Sequence, residues 1–225
     1  MTAPCDKTTL RRQFRARRRQ ALAAATPALR AAAASQLPAL LPPGRWLGVY
    51  WPVGSEPDLA PWAPGGLAER LAVADADERL ALPAVLPAPS AEEPGRLLYR
   101  PWRRESPLQP DACGIPAPLS PDGDPPELPA SGGLPSGDLP PGAMGLLLVP
   151  ALACDRQGYR LGSGGGWYDR LRADPAWRAV PALAVLPAAC VVDQLPQDPW
   201  DVPFSGWLDE TGLHWRVPPR GPRRP

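Results

Sequence analysis

The chain has 225 residues and a formal net charge of +1 at pH 7, so no global field would draw it to nucleic acid or to an anionic membrane surface. Its 36 prolines argue against a helical bundle and for short strands joined by many loops, in a chain near the upper length of one domain with a sizeable core. No apolar run approaches the roughly 20 residues of a membrane span, and the N-terminus lacks the apolar core of a signal peptide, which predicts a soluble cytoplasmic protein.

Asp6 can cap a helix running to about Ala25, with Leu10, Phe14, Ala21, Leu22 and Ala25 on one face. The other face carries Arg11, Arg12, Arg15, Arg17, Arg18 and Arg19, by default a solvated surface or a nonspecific attractant for RNA. Thr26-Pro27, a cap followed by proline, predicts the restart of a second helix to about Leu37. Trp46 to Tyr50 reads as a buried strand, and Trp51 to Asp58 follows at its carboxyl end, where open α/β sheets bind ligands. There Glu56 and Asp58 read as N-cap chemistry for a helix up to Leu71, Asp58 as that alone. Leu80–Val85, Arg96–Tyr99, Leu146–Val149 and Val180–Leu186 are further predicted strands. The stretch 105–141, dominated by Pro, Gly, Ser and Asp, predicts a loop, and 216–225 a disordered basic tail. Four well-separated cysteines, Cys5, Cys113, Cys154 and Cys190, form no CxxC pair and predict free thiols; the one histidine, His214, beside the tail, reads as incidental. The alternation predicts one α/β domain over residues 1–215, an open, largely parallel sheet flanked by helices on both faces.

The stretch Met144–Leu171 organises the rest. An apolar strand closed by Pro150 is followed by Arg160, then Gly162, Ser163, Gly164, Gly165 and Gly166, then Trp167-Tyr168-Asp169-Arg170 at the start of a helix. Glycines let main-chain N–H groups approach an anion, and flanking cations with a carboxylate suit a phosphate and its metal. The dinucleotide fingerprint fails because position 167 is Trp, which counts against a nicotinamide-linked oxidoreductase; a P-loop fails because Lys7 is the only lysine.

Val149 to Arg170, VPALACDRQGYRLGSGGGWYDR, resembles the signature of the 5-formyltetrahydrofolate cyclo-ligases, with Cys154 where that family usually has Phe and Ser163 where it often has Tyr. Lys7, Leu10, Arg11, Arg15 and Arg18 or Arg19 resemble its N-terminal pattern, and Tyr50 to Asp58 its Y-x-P-x-G-S-E-x-D segment. Gly114 to Pro118 is similar to its G-I-x-E-P, with Ala117 at the glutamate position, and Val191 to Pro196 to its Q-x-x-x-x-L-P, with Asp198 or, better aligned, Asp201 at the acidic position that follows.

The resemblance implies an ATP site of Lys7, Arg11, Arg160, Leu161, Gly162, Ser163, Gly164, Gly165, Gly166, Trp167 and Tyr168, with Lys7, Arg160 and Tyr168 serving the chemistry. It implies folate contacts at Tyr50, Trp51, Glu56, Trp102, Ile115 and Pro116, and Mg²⁺ at Asp169 and Asp201. It further implies cyclisation of 5-formyltetrahydrofolate to 5,10-methenyltetrahydrofolate with release of ADP and phosphate, in one-carbon metabolism. The expected partners are small molecules alone, with no membrane and no nucleic acid, and the protein is expected to be a monomer. The alternative open at this point is a noncatalytic RNA- or nucleotide-binding protein on the same fold.

Overall fold

The structure, a computed structural model, describes residues 6–75, 79–88, 94–118 and 137–216. Cys5, positions 119–136 of the expected loop and positions 217–225 of the expected tail lie outside the described residues. In chain order the elements are α1 (Lys7–Gln36), β1 (Trp46–Gly48), α2 (Leu67–Asp75), β2 (Leu80–Leu86), β3 (Arg96–Pro101), β4 (Leu108–Pro110) and β5 (Pro116–Pro118). They continue as β6 (Met144–Pro150), β7 (Ala153–Asp155), β8 (Arg160–Leu161), α3 (Trp167–Ala173), α4 (Pro175–Ala179), β9 (Ala182–Val185), β10 (Val191–Val192), β11 (Gly206–Asp209) and β12 (Gly212–Trp215).

A seven-stranded sheet runs β12-β11-β9-β6-β1-β2-β3. The strands from β11 to β2 pair in parallel, and the two edges, β12 and β3, are antiparallel. Because successive strand residues point to opposite faces, the continuous apolar runs bury both sides. On one face Leu47, Leu80, Leu82, Leu146, Leu148, Leu183, Val185 and Leu208 pack against Leu29, Ala33 and Leu37 of α1 and its C-cap and against Leu67 and Leu71 of α2. On the other, Ala81, Leu147, Val149, Ala182, Ala184 and Trp207 meet Leu171 of α3, with Trp177 of α4 packed alongside. Each fully buried leucine contributes about 1.5–3 kcal/mol, so the two layers hold the sheet from both sides as the pattern predicts. Among the described residues no helix is long and apolar enough to cross a membrane.

Several elements depart from expectation. The two predicted N-terminal helices are one, with Pro27 inside it. Thr26 Oγ1 donates to Leu22 O at 2.7 Å, Ala23 and Pro27 both lie on the exposed side, and Leu29 and Ala33, each 1% exposed, anchor the second half to the sheet. That packing outweighs the roughly 3 kcal/mol cost of an interior proline. Asp6 occupies the N-cap position but its side chain makes no capping bond. Asp58 does not cap α2, which starts nine residues later; its carboxylate instead accepts from Ala60 N and pairs with Arg30 at 2.6 Å. Within the expected loop, β4 and β5 form an antiparallel ribbon. Asp111 shapes the intervening turn, accepting from Cys113 N, Ile115 N and Val85 N.

Candidate functional site

Strand β1 leads to β2 on one side of the sheet, while β6 lies on its other side. Such a reversal opens a crevice at the carboxyl ends of the strands, and a cleft of about 520 Å³ lies there. Its wall includes Tyr50 and Trp51 just past β1, Pro150 at the end of β6, Pro83 and Val85 of β2, and Leu97 of β3.

The glycine loop does not follow β6 directly. A three-stranded sheet, β10-β7-β8, intervenes, and Arg160–Leu161 of β8 deliver the loop to the cleft. Asp155 fixes this turn: it is fully buried, and its Oδ1 accepts from Gln157 N and Tyr159 N, both at 2.9 Å, while Oδ2 accepts from Leu195 N at 3.1 Å. One carboxylate therefore aligns both the approach to Arg160 and the segment leading to Asp198 and Asp201.

Arg160 lies between the rings of Tyr168 and Phe204, its guanidinium 5.3 Å from each centroid. It bonds Asp169 at 3.2 Å, and its buried Nε has no partner. A Cβ at position 162 would overlap that guanidinium, so a side chain there would push Arg160 aside. Gly166, at φ 65°, makes the left-handed turn into α3. The main-chain N–H groups of Gly162, Ser163, Gly164, Gly165 and Gly166 donate to no other group among the described residues. Since α3 has only seven residues, the loop amides and the cations, more than a helix dipole, make this corner attractive to an anion.

The start of α1 closes the cleft from the opposite end of the sequence. Lys7 Nζ bonds Asp198 Oδ2 at 2.6 Å and Asp201 Oδ2 at 2.7 Å. Partial burial alone would lower its pKa, but the two carboxylates outweigh that, and the net direction is upward, so the ammonium stays charged. Arg11 Nε donates to Gly162 O at 3.2 Å and Arg15 to Ser163 O at 2.9 Å, which ties the helix to the loop. Arg18, expected on a solvated face, is 4% exposed and donates to Ser55 Oγ and Ala151 O. Arg12 and Arg19 do remain exposed.

Glu56 is half-buried at the cleft wall, where its carboxylate accepts from Val53 N. Burial pushes its pKa up, although the Val53 N–H and the nearby Arg18 oppose the shift. Burial likewise raises the pKa of the Tyr50 and Tyr168 hydroxyls, keeping them protonated.

The structure brings Lys7, Arg11, Tyr50, Trp51, Glu56, Ile115, Arg160, Leu161, the loop 162–166, Trp167, Tyr168, Asp169 and Asp201 onto one cleft. Trp102 and Pro116 are not on the lining: Trp102 is buried edge-on behind Trp51, with centroids 6.3 Å apart, and Pro116 sits in the β4–β5 ribbon. Asp198 and Asp201 both line the cleft and both bind Lys7. Trp200, Val53, Asp111 and Cys113 also line it; of these only Trp200, inside Asp198–Asp201, carried a sequence signal, as a large apolar residue between two acids. His214 lies in β12, stacked on Trp207 with ring planes 11° apart. Cys154 and Cys190 are buried free thiols, pushed up to about 12 and about 11 by burial and so unsuited to nucleophilic work.

Carboxylate oxygens suit Mg²⁺, which takes one or two of them together with phosphate oxygens. Among the described residues no group of three or more His, Cys, Asp and Glu side chains converges as a ready-made cage, but Asp169, Asp198 and Asp201 all face the cleft. The donor chemistry therefore fits an ion that arrives with phosphates.

A family model described as the 5-formyltetrahydrofolate cyclo-ligase family matches residues 134–208, the segment that carries the glycine loop and both Lys7 partners. A 5-formyltetrahydrofolate cyclo-ligase of Mycolicibacterium smegmatis is 32% identical over 164 residues, 72% of each chain. One of Escherichia coli is 34% identical over 66 residues, 29% of this chain and 36% of that one. Among solved structures, a 5,10-methenyltetrahydrofolate synthetase of Aquifex aeolicus superposes with a TM-score of 0.63 at 24% identity, covering 97% of this chain and 96% of that one. A 5,10-methenyltetrahydrofolate synthetase of Mycoplasma pneumoniae superposes with a TM-score of 0.60 at 17% identity, covering 91% and 99%. These two superpositions carry the fold across nearly the whole chain.

Proposed function

The chain belongs to the 5-formyltetrahydrofolate cyclo-ligase family, and from that premise we propose that it converts 5-formyltetrahydrofolate to 5,10-methenyltetrahydrofolate at the expense of ATP. The observation that supports this most is the convergence of the glycine loop, Lys7, Arg11 and Arg160 on one cleft, from segments some 150 positions apart.

A formamide oxygen is a poor leaving group and must be activated before N10 can displace it. In the proposed reaction the formyl oxygen attacks the γ-phosphorus and the bond to ADP breaks, giving an N5 iminium phosphate. N10 then adds to the formyl carbon and loses its proton, and phosphate departs with the original formyl oxygen. Phosphoryl transfer asks the protein for alignment and charge neutralisation rather than a covalent nucleophile.

The free N–H groups at 162–166 would cradle the phosphates, and the unpartnered Nε of Arg160 would gain an acceptor. Lys7 and Arg11 would offset further negative charge, and the protonated Tyr168 hydroxyl would orient the reacting oxygen. Tyr50, Trp51, Glu56 and Ile115 would hold the folate, with Trp102 and Pro116 backing that wall. Asp169 and Asp201 would hold Mg²⁺, which when bound neutralises phosphate charge. The test is the fate of the formyl oxygen: with ¹⁸O in the formyl group, the label is expected in the released phosphate. Its retention in any folate product, or unlabelled phosphate, would overturn the route.

A further inference from the structure

The exposed large apolar side chains among the described residues are Val53, Val73 and Trp200, and two of these, Val53 and Trp200, line the cleft. Exposed apolar surface in such a place marks a ligand wall. Trp200 is 67% exposed, and the other aromatic rings on the lining are already engaged. Trp51 meets Trp102 edge-on, Trp167 lies under Arg170 at 4.4 Å, Tyr168 lies under Arg160, and Tyr50 donates its hydroxyl to Pro57 O. Trp200 has no side-chain hydrogen bond and no ring contact among the described residues.

The segment carrying Trp200 is nonetheless held in place. Asp198 N donates to Asp201 Oδ2 at 2.8 Å, Asp201 N to Asp198 O at 3.0 Å, and both carboxylates grip Lys7 Nζ. Trp200 thus lines the cleft from the loop whose two carboxylates hold the ammonium that the proposed function assigns to the phosphates. The planar ring covalently tied to those phosphates is the base of the nucleotide.

We infer that Trp200 is the stacking wall for the adenine of ATP, an inference that rests on the phosphate-binding reading of the same cleft. Stacking of a base on an aromatic side chain is worth about 5- to 150-fold in affinity and tolerates different bases, because each base offers a π-face.

The experiment titrates ATP, GTP and inorganic tripolyphosphate into wild-type protein and into Trp200→Ala and Trp200→Phe, with the KM for 5-formyltetrahydrofolate measured alongside. Trp200→Ala is expected to weaken ATP and GTP about 5- to 150-fold and leave tripolyphosphate and the folate KM unchanged, while Trp200→Phe restores most of the lost affinity. Because the side chain is exposed, the variant is expected to keep the wild-type melting temperature. Unchanged ATP affinity in Trp200→Ala would overturn the inference, as would a folate KM that moves in place of it, which would give the ring to the pterin. Wild-type protein that holds tripolyphosphate as tightly as ATP would overturn it while leaving phosphate binding intact. Wild-type protein that holds neither would remove the phosphate reading itself and this inference with it.

Discussion

Lys7→Ala is expected to lower kcat/KM by about 10²- to 10³-fold, the range typical for loss of one preorganised donor aimed at developing charge. Two effects add. In the proposed reaction the ammonium no longer meets the transferring phosphoryl group, and Asp198 and Asp201 lose the cation that offsets part of their charge, which makes that corner of the cleft more repulsive to ATP. The ion pairs are partly solvent-exposed, so their loss is expected to cost at most about 1 kcal/mol of stability. A large fall in activity with a nearly unchanged melting temperature is the signature to look for. Lys7→Arg is expected to rescue little, because the compact ammonium touches both carboxylates through one nitrogen, which a planar fork on a longer stem does not reproduce. Activity within a factor of two of wild type in Lys7→Ala would contradict the part assigned to this residue.

Asp155→Ala is expected to destabilise the fold by about 3–5 kcal/mol, since an N–H left unsatisfied in the interior costs about 1–3 kcal/mol. Its carboxylate serves three main-chain donors, from Gln157, Tyr159 and Leu195. The Leu195 N–H is in a buried bond, whereas exposed Gln157 lets water recover part of the loss, which keeps the expected total below the simple sum. For a chain of this size such a change lowers the melting temperature by roughly 6–20 °C. Asp155→Asn is expected to recover only part, because its NH₂ places a donor where an acceptor is needed. Activity should fall as well, below the melting range, because the same carboxylate aligns Arg160 with the segment that carries Asp198 and Asp201. A loss under 1 kcal/mol in thermal unfolding would show that the turn holds itself without the carboxylate.

The glycine loop was legible in the sequence because its signal is local: five consecutive small residues between Arg160 and Trp167 need no knowledge of the fold. The parallel sheet was legible for a similar reason, since apolar runs such as Leu146–Val149 have no polar face to leave in water. Continuity of α1 through Pro27 was not, because it is decided by Leu29 and Ala33 packing on strands that come later in the chain. Nor was the burial of Arg18, whose acceptors, Ser55 and Ala151, are 37 and 133 positions away. The β4–β5 ribbon was hidden by proline at three of its six positions, which masks strand propensity while the turn is built by Asp111. Lys7 stands out in the sequence as the only lysine, yet the pair of carboxylates that holds it follows only from the fold, which carries the first turn of α1 to a loop nearly 200 positions away.

The most direct measurement follows the near-ultraviolet absorbance of methenyltetrahydrofolate with purified protein, 5-formyltetrahydrofolate and Mg²⁺, with and without ATP. An absorbance rise that requires ATP, with one ADP released per methenyltetrahydrofolate formed, is the predicted result. No rise with any nucleotide would contradict it and leave the cleft as a site that binds without turning over.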